Sequence, residues 1–342
     1  MMLNTLMWCL FMLIHSEPNK TFMDLSNTSS LPPNPSSELI RPPYLKAGDT
    51  VAIVAPSGVL KFEAEVIQKT KLLLNRWGLE VVFGSHLQTK AHHFAGSDTQ
   101  RTSDFQFALD HPAIKAIWCA RGGYGLLRII DALDFEKFKI HPKWIVGYSD
   151  VTVLHNTLNN LGYESLHGMM CINLTDDATA IEQSVETLKA GLFGTLKNYE
   201  VEGHSENRPG TATGLLVGGN LSLLTAGLGS STQLDTKGKL VFIEEIGEYK
   251  YHIDRQLQSL KRAGYFKDCA GVIVGDMSQI KTNDPSWGYS IEATILEVLN
   301  DTKVPVAFGF PAGHEFENRA LYFGRNTRLE VTKSKTRVLF ID

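Results

Sequence analysis

The chain has 342 residues with 43% hydrophobic and 20% charged residues, ordinary values for a globular protein of roughly two domains. A formal net charge of −4 carries no basic footprint for nucleic acid or for an anionic membrane surface, so neither is expected as a partner. The four cysteines, Cys9, Cys119, Cys171 and Cys269, are far apart, with no CxxC and no Cys/His pair at zinc spacing. Cys119 and Cys269 lie in or beside apolar runs and read as reduced core residues. The doublet His92-His93 cannot place both rings on one face, which makes it a poor metal site. No metal and no cofactor is predicted.

The amino-terminal stretch differs from the rest. Leu6 to Ile14 is apolar but too short to span a bilayer as a helix. It resembles the core of an export signal, although no Lys or Arg precedes it and no small-x-small site follows. Residues 16–39 are rich in Ser, Asn and Pro and read as a tether. Residues 1–40 are therefore expected to be a dispensable leader, with an export signal or a membrane-proximal anchor as alternatives.

The globular part begins near Pro42. Val51 to Ala55 is a buried strand closed by Pro56-Ser57-Gly58, and a helix follows from Phe62 to Trp77 with Gly78 at its end. Leu79 to Phe83 is a strand, Thr99 to Leu109 a helix that stops before Pro112, and Ala116 to Ala120 a third strand. Arg121-Gly122-Gly123-Tyr124-Gly125 follows, then a helix to Ala132. Strands alternating with helices imply a doubly wound, mainly parallel sheet of flavodoxin or Rossmann type, with functional loops at the carboxyl ends of its strands.

Ile145-Val146-Gly147 is a strand that stops at Tyr148-Ser149-Asp150, and a helical segment runs from Val151 to Leu161. A serine at such a turn is held out from the backbone at the positive end of a helix, as a hydrolase nucleophile must be. Val151 stands where the second glycine of G-x-S-x-G would be. A plain helix cap by Ser149 or Asp150 is the competing reading.

Beyond His167-Gly168 a helix is expected over Ala178 to Ala190, and Asn198 to Pro209 reads as linker. A second unit opens at Gly214 and runs through Gly218-Gly219-Asn220. Strand Leu240 to Ile243 ends at Glu244-Glu245, helix Ile253 to Ala263 follows, and strand Gly271 to Val274 ends at Gly275-Asp276. Val304 to Phe308 leads into Gly309-Phe310-Pro311-Ala312-Gly313-His314, and Leu329 to Ile341 is a hairpin. The expected domains are 41–168 around the nucleophile, 169–212 as a linker with a helix, and 213–342 as a smaller α/β domain with a β-rich core.

A serine hydroxyl needs a general base, and a histidine base needs a carboxylate. His314 on its Gly-rich loop and Glu244 at a strand end supply the residue types, in the order Ser, Glu, His. Backbone amides for an oxyanion come from Asp150, which follows the serine, and from Gly122 and Gly123. His314 as an ordinary loop residue, and Glu244 as one of a solvated cluster with Glu245 and Glu248, are the competing readings.

These segments resemble the LD-carboxypeptidase family, serine peptidases that include muramoyl-tetrapeptide carboxypeptidases and microcin C self-immunity proteins. The resemblance runs in order over about residues 42–342, through Leu45 to Val51, Ala55-Pro56-Ser57-Gly58, Arg121 to Gly125, Gly147 to Thr152, His167-Gly168, Gly218 to Leu221, Phe242 to Glu245, Ile253-Asp254-Arg255 and Gly309 to His314. It implies a metal-free triad of Ser149, Glu244 and His314, with Glu245 and Glu248 as rivals for the acid. It also implies an oxyanion hole from Asp150 and Gly122 or Gly123, and a murein tetrapeptide substrate cut before its terminal D-alanine. Arg121 could receive the free carboxylate or form a surface salt bridge, and Asn220 could bind the peptide or cap the helix that follows. A peptidyl-nucleotide amidase, with aromatics from Ser286-Trp287-Gly288-Tyr289, and an inert murein-peptide binding protein are the alternative functions. The family further implies a homodimer acting in the cytoplasm.

Overall fold

The computed structural model describes residues 39–341, which belong to one compact unit; the apolar Leu6–Ile14 run and Cys9 lie outside the described residues. The chain joins the fold at Ile40, whose amide donates to the Gly162 carbonyl at 2.8 Å. The strands are β1 (Thr50–Val54), β2 (Glu80–Phe83), β3 (Ile114–Cys119), β4 (Trp144–Gly147), β5 (Ser165–His167), β6 (Asn198–Glu202) and β7 (Gly210–Asn220). They continue with β8 (Leu240–Ile246), β9 (Gly271–Ser278), β10 (Val306–Ala307), β11 (Leu321–Phe323), β12 (Asn326–Val331) and β13 (Lys335–Phe340). The helices are α1 (Glu63–Arg76), α2 (Asp98–Asp110), α3 (Glu136–Ile140), α4 (Thr152–Asn160), α5 (Glu182–Leu192), α6 (Leu221–Ala226), α7 (Lys250–Arg262) and α8 (Ile291–Val298).

The first sheet has the order β2-β1-β3-β4-β5-β11, and its first five strands are parallel. This is the doubly wound arrangement expected, with its switch point between β1 and β3. Period-two alternation covers both faces: Val51 and Ile53 enter one apolar cluster, while Ala52 and Val54 enter another. The second sheet runs β10-β9-β8-β7-β12-β13-β6, with β7 to β10 parallel and the β12–β13 hairpin and β6 antiparallel. Its Leu216, Phe242 and Ile273 share a cluster with Trp118 and Val146 of the first sheet, so one core spans both.

Three expectations need correction. The helix expected up to Ala132 is two single 3-10 turns, Leu126–Arg128 and Ile130–Ala132, interrupted at Ile129 with φ −121°. The start is diverted because the Leu126 amide donates to the Asp150 carboxylate. The segment read as linker holds β6, whose alternation buries Tyr199 and which pairs with β13. Strands β5 and β11, three residues each, went unnoticed; β11 comes from the carboxyl-terminal half yet closes the first sheet, Leu321 pairing antiparallel with His167. No helix among the described residues is long and apolar enough to cross a membrane. Cys119, Cys171 and Cys269 are buried free thiols, with Cys119 and Cys269 in the core as expected.

Candidate active site

The turn after β4 carries the first functional side chain. Ser149 has φ +61°, a left-handed conformation uncommon for any residue but glycine and characteristic of strained functional turns. Neither Ser149 nor Asp150 makes a side-chain cap bond to the helix that follows, so the plain-cap reading has no support in the geometry. The turn closes tightly: a Cβ placed on Gly147 would lie 2.7 Å from Cγ2 of Val151. The glycine thus makes room for the valine that replaces the second glycine of the common elbow. His155 Nε2 donates to the Gly147 carbonyl at 2.9 Å and pins the strand end.

Asp150 is buried, and its side chain serves the neighbouring loops. Its Oδ2 accepts from Ser57 Oγ at 2.5 Å and from the Leu126 amide at 2.9 Å. Burial pushes this carboxyl above the ordinary range, and the Ser57 hydrogen bond works in the opposite direction. Ser57, in the loop after β1, had no assigned role in the sequence reading. The loop after β3 lies directly on the serine: a Cβ on Gly122 would sit 3.2 Å from Ser149 Cβ and 3.4 Å from its Oγ, so a larger residue would press on the serine.

The second sheet brings Glu244 and His314. Glu244, at the end of β8, has no exposure, whereas the His314 side chain keeps 11%, enough to meet a ligand. His314 Nδ1 donates to Glu244 Oε2 at 2.6 Å, which leaves Nε2 for a proton from elsewhere. Burial drives the imidazole toward its neutral form, but the Glu244 charge and hydrogen bond outweigh it, and the His314 pKa is raised above 6.5. The His314 ring packs edge-on against Tyr148, centroids 4.9 Å apart, which places the imidazole beside the residue preceding Ser149. Burial pushes the Tyr148 hydroxyl up to about 12, so it stays neutral.

Asp276, at the β9 end, holds the histidine loop: its Oδ2 accepts from the Glu315 amide at 3.0 Å, and its own amide donates to Ala312 at 2.9 Å. Gly313 has φ +140°, and a Cβ there would meet Asp276 at 2.8 Å. Burial raises the Asp276 carboxyl to about 6. Asn318 accepts from the Gly313 amide at 3.2 Å. The Tyr148 contact and the Asp276 and Asn318 anchors carry no motif and are visible only in three dimensions.

The rival carboxylates lie elsewhere. Glu245 accepts from Asn220 Nδ2, the Ser222 amide and hydroxyl and the Ile246 amide, all within 3.1 Å. Glu248 is paired with His252 at 2.5 Å. Asn220 is buried, and its Oδ1 accepts from the Leu223 amide at 3.3 Å, so it caps α6; its backbone amide donates to Thr152 Oγ1 at 2.9 Å and ties β7 to α4. Arg121 is half-buried and donates to the Val59 carbonyl. Trp287 donates to Thr294 Oγ1 at 3.1 Å and packs locally. Among the described residues no group of three or more His, Cys, Asp or Glu side chains could hold a metal ion.

A half-buried serine on a strained turn of a doubly wound sheet, with a Glu–His pair whose imidazole rests on the preceding tyrosine, suits a hydrolase. Residues 51–168 match the profile of the LD-carboxypeptidase N-terminal domain, and residues 213–329 match that of the LD-carboxypeptidase C-terminal domain. The chain is 35% identical over 303 residues to the "Probable murein peptide carboxypeptidase" of Bacillus subtilis, covering 87% of this chain and 94% of that one. It is 27% identical to the "Murein tetrapeptide carboxypeptidase" of Pseudomonas aeruginosa over 82% of this chain and 92% of that one. The crystal structure of muramoyltetrapeptide carboxypeptidase from Oxalobacter formigenes superposes with a TM-score of 0.76 at 28% identity, covering 86% of this chain and 99% of that one. The microcin C7 self immunity protein MccF shares the fold, with a TM-score of 0.79 at 20% identity over 90% and 99% of the two chains. The chain belongs to the LD-carboxypeptidase family, and it is a carboxypeptidase.

Proposed function

We propose that the chain is a serine carboxypeptidase that releases the terminal D-alanine from murein tetrapeptide by hydrolysing the L,D-peptide bond before it, in peptidoglycan recycling. The observation that carries this reading is the 2.6 Å bond from His314 Nδ1 to the fully buried Glu244, on a ring that rests against Tyr148 beside the strained Ser149. The names of the bacterial relatives support the substrate.

In this reading Ser149 Oγ attacks the scissile carbonyl while His314 Nε2 takes its proton. Glu244 holds the imidazole tautomer and stabilises the imidazolium that forms. The amide of Asp150 and one from Gly122-Gly123 hold the oxyanion, supported by the approach of Gly122 to Ser149 Oγ. The tetrahedral intermediate collapses, His314 returns the proton to the departing amine of D-alanine, and the peptide remains as an ester on Ser149. Water, deprotonated by His314, then frees the peptide and restores the serine. Residues 41–168 supply the nucleophile and 213–342 the acid and base. Arg121 faces the substrate, Asn220 supports the site through Glu245 and α6, and the enzyme works as a cytoplasmic homodimer.

The test is incubation of protein lacking residues 1–39 with murein tetrapeptide. D-alanine release that vanishes in Ser149→Ala is the expected result; a folded wild type that releases none returns the chain to the class of inert binding proteins.

A further inference from the structure

The first sheet reverses its strand order between β1 and β3, and two basic side chains from outside the triad meet at that point. Both residues are tied to Val59, His93 by its backbone and Arg121 by its side chain. Its amide donates to the His93 carbonyl at 2.9 Å, and its carbonyl accepts from the Arg121 guanidinium. Three glycines without side chains let the groups converge. A Cβ on Gly122 would lie 3.4 Å from Ser149 Oγ; one on Gly123 would lie 3.6 Å from Gly58 Cα and 3.9 Å from His93 Nε2; one on Gly58 would lie 3.8 Å from the Arg121 Cζ. Moving away from the nucleophile, the wall therefore runs Ser149, Gly122, Gly123, His93, with Arg121 alongside. The His93 imidazole is exposed and is steadied by edge-on packing against Phe94, centroids 5.4 Å apart.

The spacing carries the chemistry. In a peptide cut one residue from its end, the terminal carboxylate lies one residue beyond the scissile carbonyl, about 3.8 Å along the chain. A receptor for it must stand one step out from the nucleophile, which is the step from Gly122 to Gly123 and His93. Resting on the carboxypeptidase reading above, we propose that His93 acts with Arg121 as the receptor for the free terminal carboxylate, and that His93 is the residue that makes the chain select free carboxyl ends. Two donors on different loops suit the two oxygens of a carboxylate, each as a charge-assisted hydrogen bond. Asp150, the buried carboxylate on this side, holds Ser57 and Leu126 through its Oδ2.

The experiment compares murein tetrapeptide ending in D-alanine with the same peptide ending in D-alaninamide, on the wild type, His93→Gln and the neighbouring His92→Gln. The expected wild-type preference for the acid is roughly ten- to hundredfold in kcat/KM, the worth of a hydrogen bond to a charged group. His93→Gln lowers that acid-to-amide ratio, mainly through the KM of the acid, while His92→Gln keeps it. A folded His93→Gln with an unchanged ratio overturns the proposal. If the wild type cleaves neither peptide, the carboxypeptidase reading of the substrate fails, and the receptor is tested through protection of Ser149 from a fluorophosphonate label by D-alanine. Protection in wild type that is lost in His93→Gln supports the receptor; equal protection in both, or in neither, sinks it.

Discussion

His314, on a loop, and Glu244, in strand β8, are seventy residues apart in sequence and meet at 2.6 Å, with the carboxylate wholly buried and the imidazole still reaching the surface. Glu245 is the nearest rival in sequence, but its oxygens are taken up by Asn220, Ser222 and Ile246. Glu244→Gln should therefore lower kcat by about 10³–10⁴-fold, the scale seen when a triad carboxylate is neutralised. Glu248→Gln should stay within a few-fold of wild type. Glu245→Gln should act on thermal stability first, because it disturbs the cap of α6. Steady-state kinetics alongside thermal melts distinguish the three.

The raised His314 pKa gives a pH signature. A base must be unprotonated to accept the Ser149 proton, so kcat/KM should rise with pH through a value above 6.5. Without the Glu244 charge and hydrogen bond, burial is opposed only by the smaller pull of Glu245 and Asp276, and the same limb should move down in Glu244→Gln. Stability follows the same sign. The imidazolium–Glu244 pair stabilises the fold fully below the unfolded value, and that contribution is lost as pH rises through the raised folded value. A pH profile with no limb above 6.5 in wild type would rule out this assignment of the base.

Asp276 predicts a change of opposite kind. Its carboxyl is raised to about 6 by burial, so holding it ionised costs the folded state stability above that pH, and the cost fades as pH falls toward 3.8. Asp276→Asn keeps an acceptor for the Glu315 amide and should raise stability by about 1–3 kcal/mol at pH 8, with little gain at pH 4. Urea denaturation at the two pH values measures it. The acid limb of kcat/KM should also move down, because one anion near His314 is gone.

The Gly147–Val151 contact predicts a coupled pair. Gly147→Ala places a methyl 2.7 Å from the valine and should cost about 1–3 kcal/mol. Shortening the valine in Gly147→Ala/Val151→Gly should recover part of that cost, with a coupling of at least about 1 kcal/mol in a double-mutant cycle. Strict additivity in denaturant titrations would mean that the elbow adjusts in some other way.

Much of this site could be read before any coordinates. Short apolar runs ending in Gly-x-Ser-Asp or Glu-Glu mark parallel strands that stop at functional loops, and that pattern located Ser149 and Glu244. His314 was legible because a Gly-rich loop follows an apolar run. What escaped notice has no local signature. Strands β5 and β11 are three residues each, too short for a period-two pattern to emerge. The segment Asn198–Glu202 is polar because it pairs at a sheet edge, and composition alone makes such a strand look like linker. The stretch after Gly125 is apolar enough for a helix, yet one hydrogen bond to Asp150, 24 residues on, redirects it. Tyr148, Asp276 and Asn318 earn their places by proximity, which no spacing rule reports. Arg121 and Asn220 show the reverse difficulty: polar residues in motif positions whose first partners in the fold are Val59 and the start of α6.

Strand β11 lies seven residues beyond His314 and pairs with His167 at the far edge of the sheet that carries the serine. During synthesis the amino-terminal sheet must wait with that edge open until almost the whole chain has left the ribosome. On the proposed mechanism, closing the edge and delivering His314 are one event, so a chain cut before His314 would hold Ser149 without its base. The proposed triad stays incomplete until about the last tenth of the polypeptide is made, a safeguard built from connectivity alone.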